Sequence, residues 1–147
     1  MKHLLVLAVL FLLTACKSDA SKQQKFFTAT DSKRTSLLVL SVKNNQFYGQ
    51  YKVQYAESII DSGEVRGVVI GDTLKGRFTY LSYGGSQEVK PFLLLKSGDT
   101  LKLGSGSVYT YLKIPYYIQE SIQFKEDDFQ FLPIEEDVFR RLDVNMK

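Results

Sequence analysis

The sequence predicts an all-β fold: a small antiparallel β-barrel with a short C-terminal helix. Three observations carry that expectation. From Phe26 onward apolar residues recur with a period of two, the signature of half-buried strands. Turn-forming residues interrupt the runs about every 8 to 12 residues. The ten Phe and nine Tyr, with no Trp, fall mostly inside these alternating runs. A meander that curls into a barrel removes its exposed edges.

In chain order, Leu38, Leu40 and Val42 alternate with Leu37, Val39 and Ser41. Phe47, Gly49, Tyr51, Val53 and Tyr55 then alternate with Tyr48, Gln50, Lys52 and Gln54. Between the two runs, Lys43-Asn44-Asn45-Gln46 supplies residues that tolerate positive φ, so the pair reads as a hairpin. Asp61-Ser62-Gly63 reads as the next turn. Runs from Glu64 to Ile70 and Asp72 to Ser82 flank Gly71-Asp72, with Leu74, Gly76, Phe78 and Tyr80 opposite in facing to Lys75, Arg77 and Thr79. Ser82-Tyr83-Gly84-Gly85-Ser86 turns into an apolar strand from Glu88 to Lys96, where Pro91 requires an edge, a bulge or the strand start.

Gly-Asp-Thr-Leu-Lys occurs at Gly71 to Lys75 and again at Gly98 to Lys102, which reads as one tight turn used twice: a left-handed Gly, then a strand opening with an inward Leu. Gly104-Ser105-Gly106-Ser107 reads as a flexible loop or bulge. Val108 to Ile118 alternates weakly, and Ser121 to Phe131 gives one or two last strands around Glu126-Asp127-Asp128. Ile134, Val138 and Leu142 recur four apart, with acids early and Arg140-Arg141 late, which predicts a short helix placed to close an open barrel end.

The N-terminus has Lys2, an apolar stretch from Leu4 to Leu13, and then Leu13-Thr14-Ala15-Cys16. This is a secretory signal pattern, too short to span a bilayer as a stable helix. Leu-Thr-Ala-Cys closely resembles the lipobox of bacterial lipoproteins. The resemblance implies that residues 1–15 are a signal peptide cut before Cys16, and that the Cys16 thiol is diacylated. More than one acyl chain holds a protein stably on a membrane. Residues 16–25, the lipidated cysteine and a polar stretch from Lys17 to Lys25, read as a tether, and 26–147 as a single domain. The expected location is the Gram-negative envelope, lipid-anchored in the outer membrane and facing the periplasm or the cell surface.

Five further pieces carry a second resemblance: Phe27-Thr28-Ala29-Thr30, Gly49-Gln50-Tyr51-Lys52-Val53, Asp61 to Gly67, Gly71-Asp72-Thr73-Leu74-Lys75-Gly76 and Lys96-Ser97-Gly98-Asp99-Thr100-Leu101. Over about half of the chain it is similar to a group of small lipoproteins of the Bacteroidetes that share these turn-centred motifs. The resemblance implies an envelope lipoprotein with a β-meander domain and brings no activity with it.

Composition narrows the chemistry. His3, the only histidine, lies in the expected signal, and Cys16, the only cysteine, would on the lipobox resemblance be taken by lipid. A mature chain without His or free Cys has no Ser-His-Asp or Cys-His catalysis, no disulfide and no His- or Cys-ligated metal, so neither an enzyme nor a cofactor is expected. The net charge of +3 comes from scattered Lys and Arg, so nucleic acid is not an expected partner. The expected partners are the membrane, through the N-terminal lipid, and an envelope protein or a small apolar ligand.

Four groups are candidate sites. Phe47, Tyr51, Tyr55, Phe78 and Tyr80 would line the interior of a lipocalin-like carrier, or simply fill it as core. Ser105-Gly106-Ser107-Val108-Tyr109 resembles the Ser-Gly-x-x-Tyr pattern of membrane-bound lysozyme inhibitors, which would make Ser105, Gly106 and Tyr109 an inhibitor loop. Glu126-Asp127-Asp128 with Glu120 has acidic character but no Ca²⁺-loop spacing. Glu57 with Asp61 or Glu64 is the nearest thing to a hydrolytic carboxylate pair, and the least supported reading. A non-enzymatic binding or envelope-accessory role is the expected function. A carrier requires a hollow aromatic interior, a protein-interaction module a filled one with an exposed patch, and an inhibitor a projecting Gly104 to Tyr109 loop.

Overall fold

The computed structural model describes residues 24–55, 58–125 and 129–146. Cys16, Glu57 and Glu126-Asp127-Asp128 lie outside the described residues. Eight strands form a closed antiparallel barrel. Seven of them follow one another as a meander: β1 (Gln24–Thr30), β2 (Arg34–Lys43), β3 (Gln46–Tyr55), β4 (Ile59–Ile70), β5 (Thr73–Leu81), β6 (Gln87–Ser97) and β7 (Thr100–Leu103). The chain then leaves the barrel to form a separate hairpin, β8 (Val108–Tyr111) and β9 (Ile114–Tyr117), and a 3-10 turn at Gln119–Ser121. It returns as β10 (Gln130–Ile134), which slots between β7 and β1 and completes the ring before helix α1 (Glu136–Asn145).

The turns follow the residues. Asn44 and Asn45 both have positive φ, as the hairpin between β2 and β3 requires. Both copies of Gly-Asp-Thr-Leu-Lys make the same turn, with Gly71 at φ 58° and Gly98 at φ 61°. Asp61-Ser62-Gly63 is not a turn: it lies within β4, paired with Lys52, Val53 and Tyr51 of β3. The local composition misleads there because Gly63 serves close backbone approach, since a Cβ on it would strike the Thr79 carbonyl oxygen of β5. Pro91 is mid-strand, yet it sits in the half of β6 that precedes the first rung of the β7 ladder, at Leu94 and Leu103. Its missing N–H is tolerated at that unpaired margin.

Alternation sends Phe27, Leu38, Leu40, Phe47, Tyr51, Val65, Leu74, Phe78, Phe92, Leu94, Leu101 and Phe131 inward as one core. The rings fill the lumen by touching one another. Tyr51 has ring centroids at 4.8 Å from Phe78, 5.3 Å from Phe92 and 5.9 Å from Phe131, and Phe78 stacks on Tyr80 at 4.5 Å. An eight-stranded barrel is just wide enough for such side chains to fill it.

Helix α1 does not close a barrel end. It lies on the outer wall, where the Phe139 ring stands 5.2 Å from Phe26 and Lys52 Nζ donates to Asp143 Oδ1 at 2.6 Å. Phe26, Leu37 and Lys52 all alternate with core residues, so they face outward. That explains why β2 is apolar on both faces: Leu38 packs into the lumen, while Leu37, equally buried, belongs to the outer wall.

Candidate functional site

The ends of the barrel differ. Gln24, where the chain enters β1, shares one end with the turns at Asn44-Asn45, Gly71-Asp72 and Gly98-Asp99. The opposite end gathers polar side chains inside the mouth. Arg34 stacks its guanidinium 4.1 Å above the Phe129 ring and pairs with Asp31 at 3.1 Å. Lys90 lies 4.7 Å over the Tyr80 ring, and Asp61, only 8% exposed, points inward beside Val53. Burial raises the Tyr55 phenol pKa, and Lys90 lies above the usual lysine value because its partial burial is outweighed by a bond to Tyr80 and by the nearby charges of Tyr80, Tyr55 and Asp61.

The five aromatic candidates all face the lumen. Phe47, Tyr51, Phe78 and Tyr80 are buried core, and Tyr55 is half-buried at the mouth. The space they surround is occupied by their own rings and those of Phe92 and Phe131.

The Ser-Gly-x-x-Tyr segment is divided between two settings. Ser105 exchanges both backbone hydrogen bonds with Gln123, at 3.0 and 2.9 Å, and the Ser107 N–H donates to Ser121 Oγ at 2.8 Å. Gly106 is packed so closely that a Cβ would lie 3.0 Å from Ser121 Oγ. These contacts hold the segment to residues 121–123 of the same excursion from the barrel. Tyr109 belongs to β8 and stacks on Tyr116 at 5.7 Å. Among the carboxylates, Asp61 points into the lumen and Glu64 out of the wall, so they stand on opposite faces of β4. No cluster of metal-ligating residues is present among the described residues.

The structure adds a site that alternation alone hides. Residues 104–125 fold back over β6, with Gly104 N–H donating to the Leu93 carbonyl at 2.8 Å and Lys75 Nζ donating to Gln119 Oε1 at 2.8 Å. Between the returning β9 and the outer faces of β3 to β6 lies an open groove of about 600 Å³. Tyr48, Arg66, Lys75, Arg77, Tyr116 and Tyr117 are among its lining residues, and no carboxylate lines it. Register sets its centre: Tyr48 pairs with Arg66, Arg66 with Arg77, and Arg77 with Pro91, a single row across four strands. Gly67 pairs with Gly76 beside that row, and a Cβ on either would collide with a carbonyl oxygen of the neighbouring strand, so both glycines allow the wall to bend there. The hairpin flanking the groove is apolar and exposed, with Tyr111 at 65% and Leu112 at 77%. Burial raises the pKa of Tyr117, at the base of that hairpin.

No protein family, curated protein or solved structure matches the chain. A closed eight-stranded antiparallel barrel is compatible with a lipocalin-like binder. No described helix is long and apolar enough to cross a membrane.

Proposed function

We propose that this chain is a lipid-anchored, non-enzymatic binding module of the bacterial envelope, and that it takes its partner on the barrel wall rather than in the lumen. The observation that carries the reading is the contrast between a lumen filled by mutually contacting rings and an open groove of about 600 Å³ outside it, lined by tyrosines and cations. Ligand sites are concave and combine apolar surface with a few convergent polar groups, and the groove has that composition. The membrane part of the reading is supported by Leu13-Thr14-Ala15-Cys16, and the non-enzymatic part by the lack of His and Cys beyond Cys16 and by the opposed directions of Asp61 and Glu64.

Two measurements test it. Metabolic labelling with a clickable fatty acid is expected to mark the wild type and to be lost in Cys16→Ser. Native mass spectrometry of the full chain, extracted in detergent from its own membranes, is expected to show the polypeptide and its acyl modification without an apolar guest. An apolar guest that survives Tyr116→Ala and is lost when Phe78 is enlarged to Trp would place the ligand in the lumen and overturn the wall reading.

A further inference from the structure

Arg66 and Arg77 are directly opposed across β4 and β5 on the outer face. Like charges in that relation destabilise a sheet. Neither arginine has a carboxylate within ion-pair distance among the described residues, and Lys75, two residues before Arg77 on the same face of β5, spends its ammonium on a neutral amide, Gln119. Arginines elsewhere in the fold are paired: Arg34 with Asp31, Arg140 with Glu136, and Arg141 with Asp137. The wall therefore sets two arginines that make no ion pair among the described residues on one rung inside a groove, with Glu64 two residues along the same face of β4 outside the groove lining.

We propose that this groove binds an acidic saccharide, a deduction that rests on the wall reading of the previous section. Two arginines on one rung, both lining the groove, bring guanidinium forks that suit the paired oxygens of a sugar carboxylate or sulfate, with charge-assisted hydrogen bonds that a lone ammonium does not orient. Tyr48 at one end of the arginine row and Tyr116 on the hairpin, which stacks on Tyr109, present half-exposed rings on which the apolar C–H faces of a pyranose pack, and neither hydroxyl is hydrogen-bonded among the described residues. The open groove suits a chain that runs through rather than a ligand enclosed on all sides. A nucleic acid fits less well, because the cations form one cluster bounded by Gln46 and Pro91 instead of a track that follows a phosphate backbone.

The experiment is calorimetric titration of the full chain in detergent with oligogalacturonate, its methyl ester, a sulfated and an unsulfated dextran oligomer, an oligoglutamate peptide and an oligodeoxythymidylate. The expected result is binding of the acidic sugars but not of their neutral forms, weakened about tenfold or more by Arg66→Gln or Arg77→Gln and also by Tyr116→Ala, which leaves the charge unchanged. The uronate and sulfated probes distinguish which acid is preferred. Equal binding of the methyl ester, or acid binding untouched by Tyr116→Ala, overturns the inference. Tighter binding of the peptide or the oligonucleotide, weakened by the same groove variants, overturns the saccharide and leaves the wall reading standing. Binding indifferent to every groove variant overturns both.

Discussion

The Tyr51 hydroxyl shares a hydrogen bond of 3.2 Å with the Ser36 hydroxyl inside the aromatic core. Burial pushes the Tyr51 phenol up to about 12, with the Ser36 bond partly opposing that rise. The phenolate is thus disfavoured in the folded chain and ordinary in the unfolded one. Stability contributed by the neutral phenol is fully present below pH 10 and is lost as pH climbs from there through about 12, a total on the order of 2 to 3 kcal/mol. In Tyr51→Phe this alkaline decline should shrink, while stability near neutral pH falls by about 1 kcal/mol because Ser36 loses its partner. Denaturant unfolding of both proteins across alkaline pH checks it, and parallel curves would refute the linkage.

Gly67 and Gly76 form a cross-strand pair whose Cα atoms leave no room for side chains: a Cβ on Gly67 would meet the Lys75 carbonyl oxygen, and one on Gly76 the Arg66 carbonyl oxygen. Gly76→Ala is therefore expected to cost about 2 kcal/mol or more, through backbone displacement rather than lost packing. Gly84, whose nearest neighbour would be Ser82 Oγ at 4.0 Å, is the control, and Gly84→Ala should change stability by less than about 0.5 kcal/mol. Thermal denaturation of the two variants makes the comparison.

Alternation made the inward faces of β3 and β5 legible, because Phe47 to Tyr55 and Leu74 to Tyr80 each follow one strict period. The repeated Gly-Asp turns were legible for the same local reason. Closure was not: β10 meets β7 through only two paired residues, Gln130 and Phe131, and nothing in this run states that Phe131 pairs with Leu101 on one side while Pro133 pairs with Phe27 on the other. The seat of α1 had a signal, since Leu37 and Leu38 make β2 apolar on both faces, and a strand covered on both faces needs an outer partner. The groove had one as well. Once Gly71-Asp72 is a two-residue turn, counting back along the hairpin sets Arg66 against Arg77; an outward arginine looks solvated until that register is drawn.

The docking of α1 separates apolar from ionic contributions. Phe139 packs on Phe26, whereas Lys52 and Asp143 form a short ion pair whose acid is half exposed. Phe139→Ala is expected to lower stability by about 1 to 3 kcal/mol, in keeping with a partly buried ring. Asp143→Asn is expected to cost less than about 1 kcal/mol, because water and salt screen the pair. Chemical denaturation at low and high salt distinguishes them: only the difference between wild type and Asp143→Asn should narrow with salt.

The tip of the β8–β9 hairpin adopts positive φ at Leu112, 48°, and Lys113, 64°, the conformation that Asn44 and Asn45 adopt between β2 and β3. Asparagine tolerates that region and leucine does not, so the two turns differ in strain by about 1 kcal/mol or more per residue. Replacing the tip by Leu112→Asn with Lys113→Gly removes that strain, and it removes no packing, since Leu112 is 77% exposed. Because the hairpin stands outside the closed barrel, the gain should be local. Hydrogen exchange is expected to slow at the hairpin amides and at the Ile118 N–H, which donates to Ser107 at 2.8 Å at the hairpin base, while the global unfolding midpoint barely moves. Faster exchange in the variant would mean that the Leu112 side chain holds the hairpin against the barrel. The exposed leucine would then be a structural contact rather than a strained tip beside the groove.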